Sequence, residues 1–124
     1  MKRLLVVALA AALVTGCSEQ KALCPSILTP GVAIEVRDAF DGSLIASGTK
    51  LVAQAGTYAD SMSIPVGQPE LNSSHLFGAF QAGVYTLTVT KTGYQAWVKT
   101  NVQVNAAQCG VELTTLTASL HAAP

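Results

Sequence analysis

The 124-residue chain is short of the groups that perform chemistry. Histidine occurs twice, at His75 and His121, and the last dozen residues, which hold His121, read as a frayed end. Two separated histidines support neither a histidine-based triad nor a two-histidine metal site. No Gly-x-Ser-x-Gly elbow occurs among the serines. Charged residues make up 11% of the chain, seven basic and seven acidic, with no clustered basic face of the kind that binds nucleic acid. A membrane-crossing helix needs about twenty apolar residues, and the N-terminal apolar run, residues 4–14, has about eleven. No stretch carries convincing helical periodicity. The sequence thus offers no catalytic residue, no cofactor site and no metal site.

What is present begins at the N-terminus. Lys2 and Arg3 precede the apolar run, and Val14-Thr15-Gly16-Cys17 places small residues directly before a cysteine. This resembles the lipobox of bacterial lipoproteins, in which the cysteine is acylated and becomes the new N-terminus. The resemblance implies a signal peptide over residues 1–16, lipidation of Cys17 and attachment to the membrane through that lipid. An ordinary secretory signal is the alternative, but its obvious Ala-x-Ala site, Ala8-Leu9-Ala10, falls inside the apolar run. In lipoproteins an Asp after the cysteine favours inner-membrane retention; Ser18 stands here, which implies the outer membrane.

Removing residues 1–16 leaves about 108, enough for one domain with one core. Lys2 and Arg3 leave with the signal, so five basic residues face seven acidic ones, about −2 net. The high mean hydropathy is partly the signal's. Three cysteines in an exported chain leave one unpaired unless something consumes it, and lipidation consumes Cys17. Cys24 and Cys109 then form an expected disulfide across about 84 residues, tying together the ends of a domain over residues 24–124. A Cys17 to Cys24 bridge in an unlipidated protein, or two free thiols, are the competing states. Zinc fits poorly, because the two cysteines are far apart and lack neighbouring histidines. Residues 17–23 are the tether, and its six residues after Cys17 reach at most about 20 Å.

Strand signals fill the rest. Val32, Ile34 and Val36 alternate with Ala33, Glu35 and Arg37, and Asp41-Gly42-Ser43 supplies a turn. Residues 44–53 and 57–64 read as the next strands, followed by a loop over 65–74 with two prolines and an Asn-Ser-Ser cluster. A short strand over 75–80 precedes the clearest one, residues 84–90, in which Tyr85, Leu87 and Val89 oppose Thr86, Thr88 and Thr90. Lys91-Thr92-Gly93 turns the chain into a long strand over 94–104. A last strand runs from Cys109 to Leu120, with a phase shift at Thr114-Thr115 that reads as a bulge. About seven short strands predict an all-β, antiparallel seven-stranded β-sandwich.

Gly83 to Val89, followed by Lys91-Thr92-Gly93-Tyr94-Gln95-Ala96-Trp97, resembles the carboxypeptidase regulatory-like domain. Residues 34–38 leading to Asp41-Gly42-Ser43, and Cys109-Gly110-Val111, match its first and last strands. The resemblance covers about residues 31–120 and implies a transthyretin-like (prealbumin-like) Greek-key sandwich, usually an accessory module without chemistry of its own. Gly83 and Gly93 are read as reversal points that use glycine's backbone freedom, and Tyr85 and Tyr94 as ring area whose hydroxyls need partners. Asp38 and Asp41 flank a turn and read as turn chemistry. Trp97 is either a packing residue or, if outward-facing, an aromatic platform for glycan or peptide, with Tyr94 beside it. The expectation is a non-enzymatic, membrane-anchored module that binds or scaffolds an envelope protein or glycan. The alternatives are a small envelope hydrolase or inhibitor-like protein acting through the 65–74 loop or a convergence of Asp60 and His75, and a structural lipoprotein that pairs through an edge strand.

Overall fold

The computed structural model describes Cys24 and residues 28–124. The signal and tether, with Cys17, lie outside the described residues. In chain order the strands are β1 (Val32–Asp38), β2 (Thr49–Ala55), β3 (Tyr58–Ser63), β4 (His75–Gly78), β5 (Gly83–Lys91), β6 (Trp97–Val104) and β7 (Thr114–Leu120). They form a three-stranded sheet in the order β4-β1-β7 and a four-stranded sheet in the order β3-β2-β5-β6. Each sheet is mostly polar on its outer face and apolar on its inner one, and the inner faces meet.

Alternation decides which side chains meet there. In β1, Val32, Ile34 and Val36 are fully buried; in β5, Tyr85, Leu87 and Val89 are; in β2, Leu51 and Ala53 lie opposite Val89 and Leu87. Leu76, Val102, Val104, Ala118 and Leu120 extend the core, with Ala46, Ile64, Ala79 and Val111 at its ends. Burying a Val or Leu side chain fully contributes about 1.5–3 kcal/mol, so this shared layer holds the two sheets together.

Most strands pair antiparallel, but β1 and β7 run parallel, from Val32 opposite Thr114 to Asp38 opposite Leu120. This corrects the wholly antiparallel expectation, and connectivity is the reason. The chain enters the domain and leaves β6 at the same end of the sandwich, where Val104 pairs with Gly83, so β1 and β7 start together and run away together.

Other expectations also move. The second strand begins at Thr49 rather than residue 44, because Gly48 takes a φ of 78° and the segment before it turns. The last strand begins at Thr114, so the phase shift at Thr114-Thr115 marks a strand start and not a bulge. The bulge lies in β6. Tyr85 pairs with Val102 and Leu87 with Lys99, which sets Thr100 and Asn101 against Thr86 alone, and Asn101 takes a φ of 57°. That extra residue keeps Trp97 and Val102 on the same, inner, face.

The C-terminus is not frayed. Ala118 is fully buried and Leu120 is 1% exposed. The tail then crosses to the other sheet, where Gln95 N–H donates to His121 O at 2.8 Å and Ala123 N–H to Gly93 O at 2.9 Å. The 65–74 segment is a loop as expected, but contains a 3₁₀ turn, Pro69–Ser73.

Glycine is required for two different reasons. Gly93 has a φ of 88° at the turn into β6. Gly31 lies so close to the opposite sheet that an added Cβ would stand 2.4 Å from Val104 Cγ1 and 2.5 Å from Ala79 O. Gly83, expected as a reversal point, opens β5 without a positive φ.

Candidate functional site

The strand directions give the sandwich two distinct ends. Residues 28–31, the turns at 56–57 and 79–82, and the 105–113 connection gather where β1, β5 and β7 begin. The loops at 39–48 and 64–74, the turn at 92–96 and the tail at 121–124 gather at the other end. Seven residues of β1 separate the two, about 23 Å of strand.

At the first end the sulfurs of Cys24 and Cys109 stand at disulfide distance, 2.11 Å, with Cα atoms 5.3 Å apart. Thr29 Oγ1 accepts from Val111 N–H at 3.3 Å and Gly31 O from Thr114 N–H at 2.8 Å, so the entering chain lies along the segment that leads into β7.

At the far end, β1 stops because Asp38 turns the chain. Its Oδ1 accepts from Phe40 N–H at 2.7 Å and Asp41 N–H at 3.4 Å, and Gly42, with a φ of 77°, lets the turn close. Asp41 Oδ1 accepts from Ser43 N–H and Oγ–H, at 2.9 and 2.7 Å. The remaining Asp38 oxygen, Oδ2, accepts from the Tyr94 hydroxyl at 2.7 Å, which joins the β1 loop to the turn before β6. This bond holds the Asp38 carboxyl below its ordinary range, aided by the Phe40 N–H, and raises the Tyr94 hydroxyl above its own. These carboxylates are therefore turn-formers, as their spacing predicts.

The same turn pushes Phe40 outward until it is 97% exposed. Beside it lies an open cleft of about 690 Å³, walled by Asp38, Phe40, Asp41, Gln95, His121 and Ala122. A second depression of about 280 Å³, lined by Ser47, Gly67, Gln68, Pro69 and Asn72, lies at the same end, where the Asn72 carbonyl Oδ1 accepts from Ser47 N–H at 3.1 Å. Val66 on the adjoining loop is 81% exposed.

Residues 1–18 match the prokaryotic membrane lipoprotein lipid attachment site. That segment contains one cysteine, Cys17. The match supports a lipid-anchored protein of the cell envelope. The curated proteins contain no match to this chain.

The remaining sequence-derived candidates fall as follows. Trp97 pairs with Val89 and is half-buried against the core, and Tyr94 packs there too, so the inner face takes both rings. Asp60 and His75 have separate surroundings. Asp60 accepts from the Tyr58 hydroxyl at 2.8 Å and from Ala79 N–H at 3.1 Å, whereas the His75 ring stacks on Phe77, centroids 6.2 Å apart. His121 stands in the wall of the far-end cleft. Among the described residues no group of three or more His, Cys, Asp or Glu is placed to hold a metal ion. No helix among them is long and apolar enough to cross a membrane.

Phe40 is the residue that sequence reasoning passed over. A large aromatic inside an Asp-x-x-Asp-Gly turn is the available signal, since a turn that short cannot fold the ring back into a core.

Proposed function

We propose that Cys17 carries the lipid and that the sandwich is a non-enzymatic envelope module which holds or binds another envelope component with its far end. One observation carries this reading: the cystine that follows the tether and the exposed Phe40 beside its cleft lie at opposite ends of the molecule. An anchor of this kind leaves the Phe40 end free to point away from the bilayer, toward whatever lies in the envelope. Ser18 after the cysteine supports the outer membrane. The two-sheet architecture supports the resemblance to the carboxypeptidase regulatory-like domain, whose members usually assist binding rather than perform chemistry.

The carboxylates support a role without chemistry. Asp38 and Asp60 spend both carboxylate oxygens, and Asp41 one, on structural hydrogen bonds. The exposure of Val66 favours one second reading, an inhibitor-like protein whose 65–74 loop enters a partner's cleft.

The test places a photo-crosslinking residue at position 40, 66 or 86 and irradiates native membranes. Adducts with an envelope protein or glycan are expected from position 40. Adducts from 66 alone favour the inhibitor-like reading. Equal yields from all three positions, including Thr86 on the outer sheet face, or none from either far-end position, refute a far-end recognition surface.

A further inference from the structure

We infer that the end of the sandwich carrying the cystine makes a second, direct contact with the bilayer surface, through the side chains of Leu28 and Leu113. The inference rests on lipidation of Cys17 and is independent of what the far end binds.

Single exposed leucines are ordinary on a protein surface. These two differ in placement. Leu28 is 78% exposed and Leu113 57% exposed, and they project from two adjacent segments, joined by the Thr29 to Val111 and Gly31 to Thr114 hydrogen bonds. Both segments lie at the end to which Cys24 is bound. Only six residues separate Cys17 from Cys24, a span of at most about 25 Å when extended, so the acyl chains hold this end within reach of the headgroups.

A contact within that reach is intramolecular in character. The lipid supplies a high effective concentration of membrane, and a weak apolar contact becomes populated. Burial about 5–10 Å into the headgroup boundary suits leucine side chains on short, non-helical segments. Glu112 is exposed at the same end and sets the depth at the headgroups rather than the acyl core. Of the other exposed large apolar side chains, Phe40 and Val66 lie on far-end loops beyond the length of β1, whereas Phe77, Val84 and Val98 stand within strands, on the outer sheet faces. Two contacts, one covalent through lipid and one through leucines, fix an orientation that a tether alone leaves free.

The experiment uses the full lipidated chain in vesicles of phosphatidylethanolamine and phosphatidylglycerol, with and without bromine on the acyl chains. Trp97, the one native tryptophan, sits at the far end and serves as reference. Leu28→Trp, Leu113→Trp and Phe40→Trp each add one reporter at an exposed position, where the fold tolerates it.

The indoles at 28 and 113 are expected to be quenched about twofold or more relative to Trp97 and position 40, as groups at interfacial depth are. Leu28→Ser, added to Leu113→Trp, is expected to reduce that quenching. Equal quenching at both ends, or none at either, overturns the proposal. So does quenching at 113 that Leu28→Ser leaves unchanged, because proximity through the tether then accounts for it. A photo-crosslink from position 40 is unaffected by any of these outcomes, which keeps this inference separable from the recognition reading.

Discussion

Replacing Cys24 and Cys109 together by alanine removes a cross-link between residues 85 apart in sequence. Two limits bracket the loss of stability. If the entering chain stays fixed without the bond, the folded state changes little and the whole loop-closure entropy of the unfolded chain is returned, about 4.6 kcal/mol. If residues 24–28 move freely once released, the folded protein regains entropy as well. The first fixed points are then Thr29 and Val111, which hold the two segments together through their 3.3 Å hydrogen bond. In the folded state the disulfide then closes a loop of only about seven residues, and the net stabilisation falls to about 2 kcal/mol. The double variant should therefore lose about 2–4.6 kcal/mol in urea unfolding, which lowers the melting midpoint by about 10 °C or more. A loss below about 1 kcal/mol refutes the reasoning, since it means that the cystine restricts the folded protein nearly as much as the unfolded chain.

Gly31→Ala is expected to cost about 1–3 kcal/mol in the same urea assay, because the new Cβ meets Val104 Cγ1 and the Ala79 carbonyl, and backbone cannot step aside; no loss refutes the close approach. Asp60→Ala strips the acceptor from Ala79 N–H, held at a φ of 62°, and from the Tyr58 hydroxyl, and should cost about 1–3 kcal/mol. All three tyrosines have hydroxyls raised above their ordinary value of 10, Tyr58 to about 12 through burial first and Asp60 second. For Tyr58 a raised folded pKa means stability that is intact below about pH 10 and lost as pH climbs toward 12, and a tyrosinate absorbance titration should show less ionisation near pH 10 in the folded protein than in the denatured one. Tyr94→Phe removes the main cause of the lowered Asp38 pKa. Asp38 contributes stability that is present above its ordinary value and lost as pH falls through the lowered one, and an NMR titration of the variant should find the Asp38 pKa higher.

Strand existence was legible where side chains alternate strictly. Residues 32–38 and 84–90 carry β-branched and aromatic residues on a period of two, and both are strands with the expected faces inward. Alternation fails as a guide where one backbone conformation resets it. Asn101 in the left-handed region shifts the phase of β6, so Trp97 looks out of step in the sequence yet faces the core. The C-terminus misled for a different reason. His121-Ala122-Ala123-Pro124 has no periodicity to read, because its order comes from backbone bonds to Gly93 and Gln95, which any side chains permit. Asp38 and Asp41 were readable as turn-formers since an Asx turn is local, whereas the Tyr94 hydroxyl that completes the Asp38 shell comes from 56 residues away.

The sequence by itself determined the lipid-anchored envelope address and the all-β class and favoured the cysteine pair, because each is written in short-range chemistry or simple counting: a lipid-attachment segment, a side-chain period and a parity. Tertiary structure decided the parallel pairing of β1 with β7, the inward rotation of Trp97, the stitching of the tail, and which end of the sandwich carries the cystine. These depend on which strands share an end, and that is set by contacts between residues far apart in the chain, which no local pattern encodes.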